Sequence, residues 1–411
     1  MSTERGELVI LGTGFAATRL VKSIDPRHYH VTVVSPRNYF LFTPLLASTT
    51  VGTIEFRSII EPIRAANEEI RYFQASCIAI HANQKTISCR SAVSDQRFDL
   101  PYEQLVIAVG AVSNTYNIPG VREHCLFLKD LADARAIRQA IIERFEKASI
   151  PGTSKEEITR LLHFVVVGGG PTGVELAAEL HDFLVHDLKQ WFGPLTGEAQ
   201  ITILEGLDKL LSTFDQRLGE YTARAFRRSR IEVRTGAFVR EIRSNEAVLR
   251  DGTIIPFGLA IWSTGIGPTE LAQESKLPKD EQARFRTDEY LRVNGFENIY
   301  ALGDCAVVFN RNYPFTAQLA QQQGKYLAKS LNRRARGRPA KPFRYFHMGM
   351  LAYIGSQRAL ADLPGIKARG FVAWLLWRSV YLTKLVSLKN KVLVLFDWFK
   401  TSVFGRDISK F

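Results

Sequence analysis

His163-Phe164-Val165-Val166-Val167-Gly168-Gly169-Gly170-Pro171-Thr172-Gly173-Val174-Glu175 joins a β-branched run to a glycine-rich turn and then to an apolar stretch reaching about Trp191. This reads as strand, turn and helix. Further on, Gln200-Ile201-Thr202-Ile203-Leu204-Glu205 reads as a second strand ending in an acid. That order is the one a dinucleotide site requires, with Gly168, Gly170 and Gly173 at the fingerprint positions. The start of the helix offers unpaired N–H groups and a partial positive charge to a pyrophosphate. Glu205 stands further from the glycines than the usual ~20 residues, which a longer helix accommodates. Its carboxylate can accept from both ribose hydroxyls of NAD and would repel a 2′-phosphate, so the site is read as one for NADH rather than NADPH.

Working outward, the device occurs a second time, 156 residues earlier. Leu8-Val9-Ile10-Leu11 runs into Gly12-Thr13-Gly14-Phe15-Ala16-Ala17, then a helical stretch to about Ile24, then His30-Val31-Thr32-Val33-Val34. Gly12 permits the turn, Gly14 carries no side chain to hold a pyrophosphate off the backbone, and Ala17 sits where helix and strand pack closely. The second strand here ends in Ser35-Pro36-Arg37 instead of an acid. A serine can hydrogen-bond a ribose, and an arginine can stack on or pair with an adenylate. Two such turns suggest two dinucleotides, and transfer between them suggests a flavin and a nicotinamide. Three further strand ends fit that reading: Leu105–Ala111, Ala260–Gly265, and Asn298-Ile299-Tyr300-Ala301-Leu302-Gly303-Asp304. In the last, Asp304 can bind a ribitol hydroxyl while Gly303 lets the backbone approach.

Composition sets the limits. The chain has 411 residues, 46% hydrophobic and 23% charged, enough for two or three folded domains. Its 4 cysteines form no C-x-x-C pair, so a disulfide framework, a cysteine-rich metal site and a redox pair close in sequence are excluded; no metal is expected. No run of 18 residues is continuously apolar, which argues against a conventional membrane-crossing helix. Glu4 and Glu7 precede the first strand-like run, which begins at Leu8, so no signal peptide is expected there. Residues 324–411 hold 18 Lys/Arg against 3 Asp/Glu, leaving the first 323 residues near neutrality. A negatively charged partner, an anionic membrane surface or a nucleic acid, should meet that end.

With these features in place, the chain resembles the type II NADH:quinone oxidoreductases, the non-proton-pumping alternative NADH dehydrogenases, within the two-dinucleotide-binding-domain flavoprotein superfamily. The more specific markers are Asn38-Tyr39-Phe40-Leu41-Phe42-Thr43-Pro44-Leu45-Leu46, Thr316-Ala317-Gln318-Leu319-Ala320-Gln321-Gln322-Gln323, and the ending Trp398 … Phe404-Gly405-Arg406-Asp407. The resemblance implies an α/β fold with two Rossmann-like domains: an FAD domain (1–115 and 286–345) interrupted by an NADH domain (116–285), then a C-terminal membrane-anchoring or dimerisation segment (346–411). It implies FAD along Gly12, Gly14, Phe15, Ala16, Ser35, Arg37, Ala111, Gly303 and Asp304, with Thr43 and Pro44 beside the isoalloxazine. NADH would lie along Gly168, Gly170, Gly173, Glu205 and Gly265, passing hydride to the flavin, which then reduces a ubiquinone-type quinone. No calcium-binding loop is present.

Glu175 matches a family glutamate near the flavin and is expected to relay protons or hold the pocket's water. On residues alone, an acid placed in a helix's first turn is equally well explained by the macrodipole. Gln318 and Gln322 share a helical face. The resemblance places them at the quinone pocket, where an amide can donate to a quinone carbonyl; a plain polar helix face is the alternative. Tyr381 matches a family tyrosine at the mouth of the quinone channel.

Residues 370–387 place Trp374, Trp377, Tyr381 and Leu385 at helical spacing, interrupted by Arg378 and Lys384, and Val392–Phe399 follows with Trp398. Tryptophan-rich apolar helices flanked by cations fit a segment lying in the bilayer interface; helices buried between two copies of the chain are the alternative. A basic run from Lys325 to Arg344 adds attraction to anionic head groups. The expected setting is therefore a peripheral, monotopic protein of the mitochondrial inner membrane, or of the cytoplasmic membrane in a prokaryote, forming a homodimer and binding no nucleic acid. Two rivals share the fold: a sulfide:quinone oxidoreductase, which needs two relay cysteines, here only Cys125 and Cys305, and a flavoprotein resembling apoptosis-inducing factor, whose basic surface would bind nucleic acid.

Overall fold

The computed structural model describes residues 5–409. They fall into two compact units, one made of Met1–Leu41, Ile60–Val112 and Ile266–Met348, the other of Phe42–Ile59, Ser113–Gly265 and Gly349–Phe411.

The first unit is built on a seven-stranded sheet. Its order is Ile299–Ala301, Gln104–Ile107, Gly6–Leu11, Tyr29–Ser35, Arg71–His81, Thr86–Ser91 and Arg97–Pro101. The first five run parallel and the last two turn back antiparallel. Leu8 to Leu11 are all buried, as a central parallel strand covered on both faces must be. The helix Phe15–Val21 packs along Ala317–Ala335, brought close by Gly324: a Cβ there would stand 2.2 Å from the Ala16 carbonyl oxygen.

The second unit carries a five-stranded parallel sheet in the order Cys125–Phe127, Leu259–Trp262, His163–Val167, Gln200–Leu204 and Ile231–Arg234. His163–Val167 is buried at every position. Helix Pro171–Phe183 follows it and continues through a π-turn, Leu184–Leu188, into Lys189–Phe192. The same unit ends in an antiparallel sheet, Met350–Tyr353, Ala359–Leu363 and Ile366–Gly370, followed by helices Phe371–Lys384 and Leu388–Phe404. No helix among the described residues is long and apolar enough to cross a membrane.

These last two helices turn their expected aromatic face inward. Trp377, Leu385 and Trp398 are buried, and Trp374 and Tyr381 are half-buried. A different apolar set faces outward: Phe371, Val372 and Leu375 on the first helix, and Leu388, Val392, Leu395, Phe396, Phe399 and Val403 on the second. Trp377 and Trp398 are therefore core residues of this unit, and the helices are apolar on two sides.

Candidate functional site

In the first unit, Gly12 has φ +107, and a Cβ there would meet the Ala108 carbonyl oxygen at 2.4 Å, so no other residue fits the turn. Gly14 caps the helix with no side-chain hydrogen bond, and a Cβ on it would meet nothing within 4 Å, leaving an open cradle at the turn. Thr13 and Ser35 share a buried hydroxyl contact of 3.2 Å, Thr13 Oγ1 donates to the Arg37 carbonyl, and the Arg37 amide donates to Ser35 Oγ. Ser35 is thus buried and shapes the turn, and it holds Arg37 at the strand's end. Phe15 meets Phe40 edge-on at 4.9 Å, and Ala16 is the contact for Gly324. Ala111 is half-buried and follows Gly110, whose φ is +67.

Gly303, φ +71, opens the short turn Gly303–Cys305 that contains Asp304, and its amide donates to Gln323 Oε1 at 2.7 Å. Gln323 is buried, and the sequence reading missed it. Its neighbours Gln318 and Gln322 lie on helix Ala317–Ala335 and both face residues 346–348. Gln318 Oε1 accepts from the Met348 amide; Gln322 accepts from the Phe346 amide and donates to its carbonyl.

In the second unit Gly168 repeats the first turn: φ +115, with a Cβ 2.4 Å from the Ser263 carbonyl oxygen. At Gly173 a Cβ would come within 2.0 Å of the Gly168 carbonyl oxygen, while Gly170 again faces open space and Pro171 begins the helix. Glu205 folds back on this turn, its two oxygens accepting from the Gly169 amide at 2.6 Å and the Leu207 amide at 2.8 Å. Gly265 is exposed, and a Cβ there would stand 2.5 Å from the Tyr116 hydroxyl. Thr43 and Pro44 begin a short 3-10 turn ahead of helix Leu46–Thr50.

Helix Pro171–Phe183 carries a row of acids. Glu175 is its fifth residue, beyond the first turn expected from the sequence, and it is buried. Its Oε1 accepts from the Tyr353 amide at 3.0 Å and from the Trp377 indole at 3.4 Å. Burial pushes its carboxyl up to about 8, with those two donors acting the other way. A macrodipole role no longer accounts for this position. Tyr381 donates to the Leu351 carbonyl and meets Trp377 at 4.9 Å with the ring planes inclined by 52°; burial, then the nearby Glu175 charge, hold its phenol well above the usual range.

Four residues on from Glu175, Glu179 accepts from Ser48 at 2.6 Å and Thr53 at 2.9 Å. Asp182 accepts from the Tyr353 hydroxyl at 2.6 Å and the Ser356 amide. Burial works to raise Asp182, but its hydrogen bonds from His181, Tyr353 and Ser356 outweigh that and leave it below the usual carboxylate range. Arg406 closes the row, pairing with Asp187 at 2.6 Å and Glu179 at 3.3 Å, and donating to Thr53. The sequence reading named only Glu175. The signal for the others was acids at i, i+4 and i+7 within an otherwise apolar helix.

The relay cysteines that a sulfide chemistry needs are poorly placed for it. Cys125 and Cys305 are both buried, burial pushes each thiol up to about 12, and Cys305 donates to the Leu302 carbonyl. No group of three or more metal-ligating side chains occurs among the described residues.

Two sheets with parallel central strands, each with a glycine turn closed to any side chain on one side and open on the other, define an oxidoreductase with two dinucleotide sites. Residues 6–324 match the family described as pyridine nucleotide-disulphide oxidoreductase, and residues 347–407 match the NDH2 C-terminal domain. The chain is 45% identical to a probable NADH dehydrogenase of Dictyostelium discoideum, over 99% of this chain and 92% of the relative. It is 38% identical to an internal alternative NAD(P)H-ubiquinone oxidoreductase A1, mitochondrial, of Arabidopsis thaliana, over 99% and 86%. Among solved structures it superposes on NDH2 from Plasmodium falciparum in complex with NADH, with a TM-score of 0.93, 29% identity and coverage of 99% and 100%. The chain belongs to the pyridine nucleotide-disulphide oxidoreductase family, in its type II NADH dehydrogenase branch.

Proposed function

We propose that this protein oxidises NADH and reduces a ubiquinone-type quinone, with FAD held along the first glycine turn and NADH along the second. The observation that carries the reading is the pair of complete turns, each with an uncapped helix start and an open cradle at Gly14 or Gly170. FAD, when bound, takes the hydride of NADH and supplies two electrons to the quinone. The chain's own residues do the rest by binding and positioning.

Gly12, Gly14, Phe15 and Ala16 hold the pyrophosphate side of FAD. Arg37, fixed by its amide on Ser35, meets the adenylate, and Ala111, Gly303 and Asp304 meet the ribitol end, with Thr43 and Pro44 beside the ring. Gly168, Gly170, Gly173 and Gly265 leave room for NADH. Glu205 is pre-oriented by the Gly169 and Leu207 amides, so its remaining lone pairs meet the ribose hydroxyls.

The quinone also needs two protons. Glu175, protonated near neutral pH and hydrogen-bonded beside Tyr381, holds one of them. Gln318 and Gln322 support the quinone pocket by latching residues 346–348, and Tyr381 guards its mouth. The outward apolar faces of the last two helices attach the protein to one leaflet of the mitochondrial inner membrane and supply surface for a homodimer, while the basic C-terminal fifth meets anionic head groups.

The test is to purify the protein, record its flavin spectrum, and follow NADH oxidation with and without a short-chain quinone. Bleaching by NADH and recovery on adding quinone are expected. A protein that bleaches but is not reoxidised by quinone would overturn the assignment.

A further inference from the structure

Arg378 lies on helix Phe371–Lys384 between two indoles, its guanidinium carbon 4.8 Å from the Trp374 ring centre and 4.0 Å from that of Trp398. Both rings lie within cation–π reach of the guanidinium, whose N–H groups still need acceptors. No protein acceptor or carboxylate among the described residues takes those donors up, although burial already lowers its pKa. A half-buried guanidinium stays charged and carries five directed donors. One without a counter-ion calls for an external oxyanion.

The surroundings identify the kind. Arg378 lines a cavity of about 800 Å³ formed by the two C-terminal helices, the Tyr353–Gln357 turn and the 179–190 side of the acid-bearing helix, which also brings in His186. The cavity's acids are already occupied: Glu179 and Asp187 by Arg406, and Asp182 by Tyr353 and Ser356. Its lining also includes Val403 and Phe404, 56% and 80% exposed, and Arg378's own helix presents Val372 and Leu375 outward. An oxyanion that must sit beside exposed hydrocarbon is an amphiphile. A free inorganic anion would answer the guanidinium but leave the apolar rim bare.

We propose that this cavity binds the phosphate of an anionic phospholipid, with Arg378 as its stacked, fork-shaped cation. The inference rests on the membrane attachment proposed above and adds a defined headgroup site to it. Arginine's planar fork can engage a phosphate through two parallel N–H donors, and the tryptophans hold that fork in one orientation.

The experiment compares co-sedimentation of the flavin-loaded protein with phosphatidylcholine vesicles, with and without phosphatidylglycerol. The parent protein should prefer the anionic vesicles. Arg378→Gln should lower that preference about tenfold while binding to phosphatidylcholine and turnover with a short-chain quinone stay unchanged. Lys389→Gln, which removes an exposed cation from the neighbouring helix, should cost far less. Equal losses in the two variants would reduce the effect to general surface charge and overturn the site. Arg378→Lys retains the charge without the fork, so a parent-like preference in that variant would also overturn it. If inorganic phosphate alone shifts the tryptophan fluorescence in an Arg378-dependent way, the ligand is a free anion and the lipid assignment fails. A parent protein that sediments with neither vesicle refutes membrane attachment itself, whereas one that prefers anionic vesicles regardless of Arg378 refutes only the headgroup site.

Discussion

Glu175 is neutral over most of the physiological range because no cation among the described residues compensates its burial; two N–H donors oppose the shift but do not reverse it. A carboxyl whose folded pKa lies above its unfolded value binds more protons in the native state. Stability therefore falls as pH rises from about 4.5 towards about 8, by up to about 1.4 kcal/mol per pH unit. Glu175→Gln should flatten that decline, read as the urea midpoint against pH, and an unchanged slope would assign the titration elsewhere. The same variant should slow flavin reoxidation by quinone below about pH 8 and abolish its fall above that pH, while leaving flavin reduction by NADH intact. The sequence marked this residue but misjudged its environment. Neither position in a helix nor local composition reveals that Tyr353 and Trp377, 178 and 202 residues away, seal it from water.

At the scale of elements, the two strand–turn–helix–strand units were legible because glycine is required by local geometry: a Cβ at Gly12 or Gly168 collides with the carbonyl of Ala108 or Ser263, just past the neighbouring strand of the sheet. The strands end at Ser35 and Leu204, within a residue of where the apolar runs stop. The C-terminal helices were legible as helices but not in orientation, since a helix apolar on two sides gives no single stripe to read. Trp377 and Trp398 fill this unit's interior, and the chain's end is pinned there by Arg406. That arginine is buried with Asp187 and Glu179 as partners, and removing one member of a buried pair leaves an uncompensated charge. Arg406→Met should destabilise the protein by about 3–5 kcal/mol, seen as a lower thermal midpoint. A loss below about 1 kcal/mol would mean that the pair is screened as exposed pairs are. Nothing local to Gly405-Arg406-Asp407 foretold this, because its partners lie some 220 residues earlier on one helix face.

For the molecule as a whole, the same pinning decides how membrane attachment must be tested. Asn390 donates to the Ser58 carbonyl, Asp397 accepts from the Glu55 amide, and Trp398 is buried, so deleting the last two helices would open the second unit as well as remove its apolar face. Substitutions confined to the outward side separate the two effects. Phe396, Phe399 and Phe404 are 59%, 62% and 80% exposed, and changing all three to Ser leaves the inward contacts in place. Each phenylalanine buried in an acyl boundary contributes roughly 1.5–3 kcal/mol, so the triple variant should lose at least about a hundredfold in vesicle affinity. Its melting point and its turnover with a water-soluble quinone should stay near those of the parent. Turnover with a long-tailed quinone confined to vesicles should fall in proportion to the bound fraction, because that substrate never leaves the bilayer. If the variant still sediments with vesicles as the parent does, these faces are not the anchor, and attachment must rest on the cations of residues 324–411, which raised salt would then abolish.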